Sequence, residues 1–227
     1  MAVEYWTYEQ FLAYMKGEWK QGEHIGVIGP TGAGKTWIVR DLLLLRRYSV
    51  VIATKEKDKT LVKYEKEDGF QLYDTWPPFY QDTRVLLWKK PKELGNFYDQ
   101  AVLVYQVMSD IYKRGGWTVS FDDIYYVSNT LRLKGAVQMF YTQVRSNNVS
   151  ILGNMQRPSW VPLEAVSQVS YIIMFLTRDK RDLARIAEGA GLDLDEVKAA
   201  NGELLKHEFL LLQTGKNPVR VAKSERK

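Results

Sequence analysis

Short apolar runs broken by glycine, proline or charge recur along this chain, and between them lie longer stretches whose apolar residues return every three or four positions. A run of four to six apolar residues has the length of a buried strand, whereas a longer stretch with the 3.6-residue period has helical character. On that basis strands are expected at 24–28, 49–54, 83–88, 117–121, 149–153, 171–176 and 209–213. Helices are expected at 37–45, 96–113, 135–146 and 179–200, and the charge-dense segment 55–68 reads as surface structure. Strands alternating with helices predict an α/β fold with a mostly parallel central sheet flanked by helices. Ligands of such sheets bind at the carboxyl ends of the strands.

The first of those carboxyl ends carries recognisable chemistry. Gly29-Pro30-Thr31-Gly32-Ala33-Gly34-Lys35-Thr36 satisfies the phosphate-binding pattern G-x-x-x-x-G-K-[ST] at its four fixed positions, between an expected strand and an expected helix. Glycines let backbone N–H groups close around phosphate oxygens, and the helix N-terminus adds partial positive charge. Lys35 is expected to reach the β and γ phosphates, and Thr36 to set its hydroxyl on Mg²⁺. Binding of ATP or GTP is the firmest functional consequence, with ATP and Mg²⁺ the expected cofactors. The pattern is that of a P-loop NTPase core of the ASCE type.

Composition narrows what else the chain can do. Its 227 residues suffice for one α/β domain with a large core, and no Pro-, Gly- or Ser-rich stretch divides it. Residues 1–22 form a lead-in and 214–227 a basic tail. Cysteine is absent, which excludes disulfides, zinc-thiolate sites and thiol nucleophiles, and two histidines leave little for a histidine metal centre. The longest strongly apolar run, 171–176, is too short to span a bilayer, so a cytoplasmic protein without a transmembrane segment is expected. Net charge is +5, and the basic C-terminal stretch suits either a polyanionic partner or plain solvation.

A second acidic element supports phosphoryl chemistry. The strand 117–121 ends in Asp122-Asp123, where a carboxylate can hold Mg²⁺ beside the loop. Asp122 is the expected metal residue. Asp123 stands where hydrolytic relatives of this motif usually carry Glu; it either serves as base for the attacking water or caps the following loop through backbone N–H groups.

Further on, Arg145 leads into an apolar strand that ends in Gln156-Arg157-Pro158-Ser159. An apolar strand closing on this tetrapeptide, after an arginine-bearing lead and behind a phosphate loop and an acidic strand, resembles the FtsK/HerA superfamily of DNA-pumping ATPases. The resemblance covers the ATPase core. It implies that Gln156 is the polar sensor of water or γ-phosphate, and that Arg145 is an arginine finger acting on a neighbouring subunit. Read from its own position, Arg145 is equally a helix C-terminal cation. Arg157 reads as structural beside Pro158 or as catalytic.

The compact size and lack of appended domains further resemble viral and phage genome-packaging ATPases of that superfamily. Double-stranded DNA, a homo-oligomeric ring of five or six copies, and a capsid or portal protein are the implied partners, with a capsid-associated location. A nucleotide-dependent phage assembly or export ATPase and a small-molecule P-loop kinase are the alternatives. Lys55, Lys57, Lys59, Arg132 and Lys134 form a basic loop group that either contacts DNA or is solvated.

Overall fold

The computed structural model describes residues 3–55, 59–76 and 83–222, with the side chains of 59–61 excepted. Its strands are β1 (Glu4–Trp6), β2 (Ile25–Ile28), β3 (Ser49–Ile52), β4 (Gln71–Tyr73), β5 (Arg84–Leu87), β6 (Thr118–Phe121), β7 (Ser150–Met155), β8 (Tyr171–Phe175), β9 (Phe209–Leu212) and β10 (Val219–Val221). The helices are α1 (Tyr8–Glu18), α2 (Lys35–Leu44), α3 (Lys59–Asp68), α4 (Tyr98–Arg114), α5 (Lys134–Gln143), α6 (Glu164–Ser167), α7 (Lys180–Ala190) and α8 (Leu194–Gly202). The strands join in one sheet in the order β1-β10-β9-β8-β2-β7-β6-β3-β5-β4. Among the described strands only β9 runs antiparallel to both of its neighbours, β8 and β10.

Burial on both faces explains why the central strands read as unbroken apolar runs. Every residue of β2, β3, β6, β7, β8 and β9 is buried. Alternation along a strand then divides the core in two. In β7, Ile151 and Met155 pack on the face covered by α4 to α8, whereas Leu152 packs on the face covered by α1, α2 and α3.

The structure departs from the sequence expectations in several places, each with a local cause. The stretch 179–200 is two helices, because Gly191 takes a left-handed φ of 64° after α7 and the Asp193 side chain accepts from the N–H groups of Asp195 (2.9 Å) and Glu196 (3.1 Å) to start α8. Within the charge-dense segment, α3 is docked by charge itself: Arg40 on α2 pairs with Glu67 at 2.6 Å and with both carboxylate oxygens of Asp68. Residues 1–22 are more than a lead-in, since Thr7 and Gln10 form a reciprocal capping box that opens α1. The stretch expected as a basic tail from 214 contributes β10, which joins β9 to β1 and closes that side of the sheet.

Strand β7 also outlasts its expected end at 153. Gly153 and Asn154 interrupt the apolar run, but both are buried between β2 and β6 and stay in the ladder. Gln156 therefore follows the last residue of the strand directly.

Candidate nucleotide-binding site

Parallel register brings three strand ends to one level. Ile28 of β2 lies opposite Met155 of β7, and Phe121 of β6 lies opposite Gly153, two residues short of that end. Gly29, Gln156 and the Asp122-Asp123 pair are thereby brought to one edge of the sheet. Because β7 lies between β2 and β6, Gln156 sits between the phosphate loop and the two acids. A cleft of about 320 Å³ is lined by Thr31, Gly32, Gly34, Lys35, Thr36, Asp122, Asp123 and Gln156, together with Trp37, Thr54 and Lys55.

The loop owes its shape to two glycines. Gly32 and Gly34 hold φ of 78° and 116°, a region that residues with a Cβ rarely adopt, and Gly34 serves as the N-cap of α2. Its first helical residue, Lys35, folds back so that Nζ donates to the carbonyls of Gly29 (2.6 Å) and Pro30 (2.9 Å). Burial pushes the Lys35 ammonium down to about 8, against the nearby charges of Asp123 and Asp122, which favour the protonated form. Such a lysine is poised for an incoming anion.

The acids divide their work. Thr54, just past β3, donates its hydroxyl to Asp122 Oδ2 at 3.0 Å. Asp123 Oδ1 accepts from the Tyr126 N–H at 3.2 Å, so it caps the helical turn that opens at Ile124 and continues into the π-helical stretch Tyr126–Thr130, while its side chain still lines the cleft. The capping alternative thus describes one oxygen of Asp123 and leaves its chemistry open. Thr36 and Asp122 offer a hydroxyl and a carboxylate to the same cleft. Among the described residues no group of three or more His, Cys, Asp or Glu could cage a metal. The donors suit Mg²⁺, which typically takes one or two carboxylates, phosphate oxygens and waters.

Gln156 is tied to the loop itself, since Thr31 Oγ1 donates to its Oε1 at 3.1 Å. Arg157 is not in the cleft: its Nε donates to Asp182 Oδ2 at 2.6 Å and its Nη2 to Asp179 Oδ2 at 2.5 Å. Arg145 is separated from the site altogether. It lies in the 3₁₀ turn Val144–Asn147 before β7, at the amino edge of the sheet, so the six-residue strand sets it roughly 20 Å from Gln156. Its side chain is 61% exposed, with Glu23 Oε1 4.0 Å away. No arginine lines the cleft among the described residues.

Sequence reasoning passed over Thr54 and His207. Thr54 ends an expected strand on the edge where ligands bind, so strand-end position alone was the available signal. His207, at a left-handed φ of 68°, has Nδ1 3.0 Å from the Ala33 carbonyl and braces the loop from 174 residues away; nothing in its neighbourhood of sequence marks it. Of the basic loop group, Lys55 lines the cleft, Lys134 opens α5, Arg132 has a φ of 57°, and Lys59 opens α3; Lys57 lies outside the described residues. No described helix is long and apolar enough to cross a membrane.

No protein-family model matches the chain, and no curated protein matches it. Solved structures do. The genome packaging NTPase B204 from Sulfolobus turreted icosahedral virus 2, in complex with sulfate, aligns at a TM-score of 0.69 and 13% identity, covering 92% of this chain and 100% of that one. The same protein in complex with AMPPCP aligns at 0.67 and 14%, covering 90% and 98%. VirB4 of Thermoanaerobacter pseudethanolicus aligns at 0.65 and 9%, covering 89% of each chain. The likeness at these identities is one of fold, and the fold is that of a P-loop NTPase with a mostly parallel sheet between helical layers.

Proposed function

We propose that this chain is an ATP-hydrolysing, oligomeric DNA translocase that packages a viral genome. One observation carries the reading: the end of β7 stands between the phosphate loop and the acidic strand, so Gln156, Lys35 and Asp123 line one cleft. The fold shared with a viral genome packaging NTPase supports the packaging assignment. Loop N–H groups and the α2 N-terminus bind the phosphates, and Lys35 leaves the Gly29 and Pro30 carbonyls to follow the β and γ oxygens. Mg²⁺, held by Thr36 and Asp122, would neutralise charge on the phosphate oxygens. Gln156 orients the attacking water, Asp123 takes its proton, and Arg145 of a neighbouring copy stabilises the transferring phosphoryl group.

The discriminating measurement is ATP turnover against protein concentration, with and without duplex DNA. A translocase gains activity per chain as it assembles, and duplex DNA stimulates it further. Flat turnover per chain with no response to duplex DNA sinks this reading. The capping bond of Asp123 favours one alternative, a slowly hydrolysing assembly or export ATPase, for which DNA has no effect.

Lys35 also gives the site a pH signature. With a free-state value of about 8, it is charged below that pH and neutral above it, and a bound triphosphate raises it. ATP affinity is therefore level below pH 8, where Lys35 is already protonated, and weakens about tenfold per unit above it, where binding takes up one proton. Kd measured from pH 7 to 9.5 tests this, and Lys35→Arg, whose guanidinium stays charged, flattens the alkaline limb.

A further inference from the structure

Gln156 has a single side-chain hydrogen bond among the described residues, the one from Thr31. Packing does little to hold it, because a cavity of about 550 Å³ opens beside the strand tip and reaches Thr31, Gln156, Arg157, Asp179 and Asp182. What fixes the tip lies one residue on. The Arg157 guanidinium bridges Asp179 and Asp182, and Asp182, 1% exposed, uses its other oxygen to accept from the Ser159 N–H at 3.1 Å. Asp179 Oδ1 meanwhile caps α7 through the Arg181 N–H. The guanidinium also lies 4.7 Å over the Trp160 ring. Residues 157–160 are thus fastened to the start of α7, and the backbone that carries Gln156 is fixed from that side.

We propose that Arg157 is a positioning residue for hydrolysis: its two-carboxylate clamp sets Gln156 against the phosphate loop, and it touches no phosphate itself. This rests on the ATPase reading above. A planar fork is needed because Asp179, the N-cap of α7, and Asp182, in the first turn of that helix, must be met at once, which a lysine ammonium on a flexible stem does poorly. A small displacement of a water-orienting group lowers turnover by as much as about 10²-fold without loosening the nucleotide.

The test is steady-state ATP hydrolysis by the full chain for wild type, Gln156→Ala, Arg157→Lys, Arg157→Gln with Asp182→Asn, and Gln156→Ala combined with Arg157→Lys. Arg157→Lys lowers kcat by about 10-fold or more and leaves KM within about threefold. The combined variant is no slower than Gln156→Ala alone, since both changes disable one device. Unchanged kcat in folded Arg157→Lys, or losses that multiply in the combination, overturns the proposal. The neutral pair avoids leaving Asp182 buried and unpaired; if it does not fold, Arg157→Lys, which keeps that charge paired, decides the matter. A wild-type chain that hydrolyses no ATP overturns the ATPase reading instead, whatever the variants do.

Discussion

Arg145→Ala lowers ATP turnover by about 10³-fold or more, and mixing the inactive variant with equally inactive Lys35→Ala restores part of the lost rate. The size follows from the chemistry, since a guanidinium delivered to the transferring phosphoryl group stabilises charge that water screens poorly once the site is closed. The recovery follows from geometry. Arg145 lies at the amino edge of its own sheet, a strand length from the cleft, and the cleft has no arginine among its described lining. A finger acting on this cleft is therefore proposed to come from another copy. In an equal mixture about a quarter of the sites join an intact loop to a neighbour's intact arginine. No recovery, in a mixture shown by native mass measurement to contain hetero-oligomers, removes the trans role.

Lys35→Ala abolishes measurable hydrolysis, a loss of at least about 10²- to 10³-fold, the scale of one preorganised charge at a reacting centre. Removal leaves the Gly29 and Pro30 carbonyls without their donor but empties no packed core, because the Lys35 side chain lies along the loop. The fold should stand, and the melting temperature checks it. Weakened ATP binding accompanies the loss, in contrast to Arg145→Ala, where affinity hardly moves. Hydrolysis at the wild-type rate by purified Lys35→Ala protein rules out this loop as the site, for no other lysine of the chain lies in a phosphate-binding pattern.

Much of the fold was legible because it is locally encoded. Strands buried on both faces must be apolar throughout, so β2, β3, β5, β6, β8 and β9 fall within one or two residues of their expected spans. Where polar residues are buried the rule fails. Asn154 broke the apolar run of β7 one residue before its end at Met155, although the strand reads as closing on Gln156, and the charges of α3 hid a helix whose docking is an ion-pair cluster on Arg40. Helix 179–200 was overextended because its periodicity continues through Gly191, whose left-handed turn is decided by the next cap.

The sequence by itself determined the phosphate loop, since four fixed residues and two flanking elements specify its backbone and its charge within a single stretch of chain. It also determined which acids and which glutamine end strands. Tertiary structure alone decided their neighbours: β7 enters between β2 and β6, Thr54 reaches Asp122, His207 braces Ala33, and Arg157 is claimed by Asp179 and Asp182. It also decided that Arg145 stands at the far edge of the sheet. Strand order and long-range pairing are set by how whole faces pack, a sum over many residues distant in sequence, whereas a loop's conformation is set by the few residues that form it.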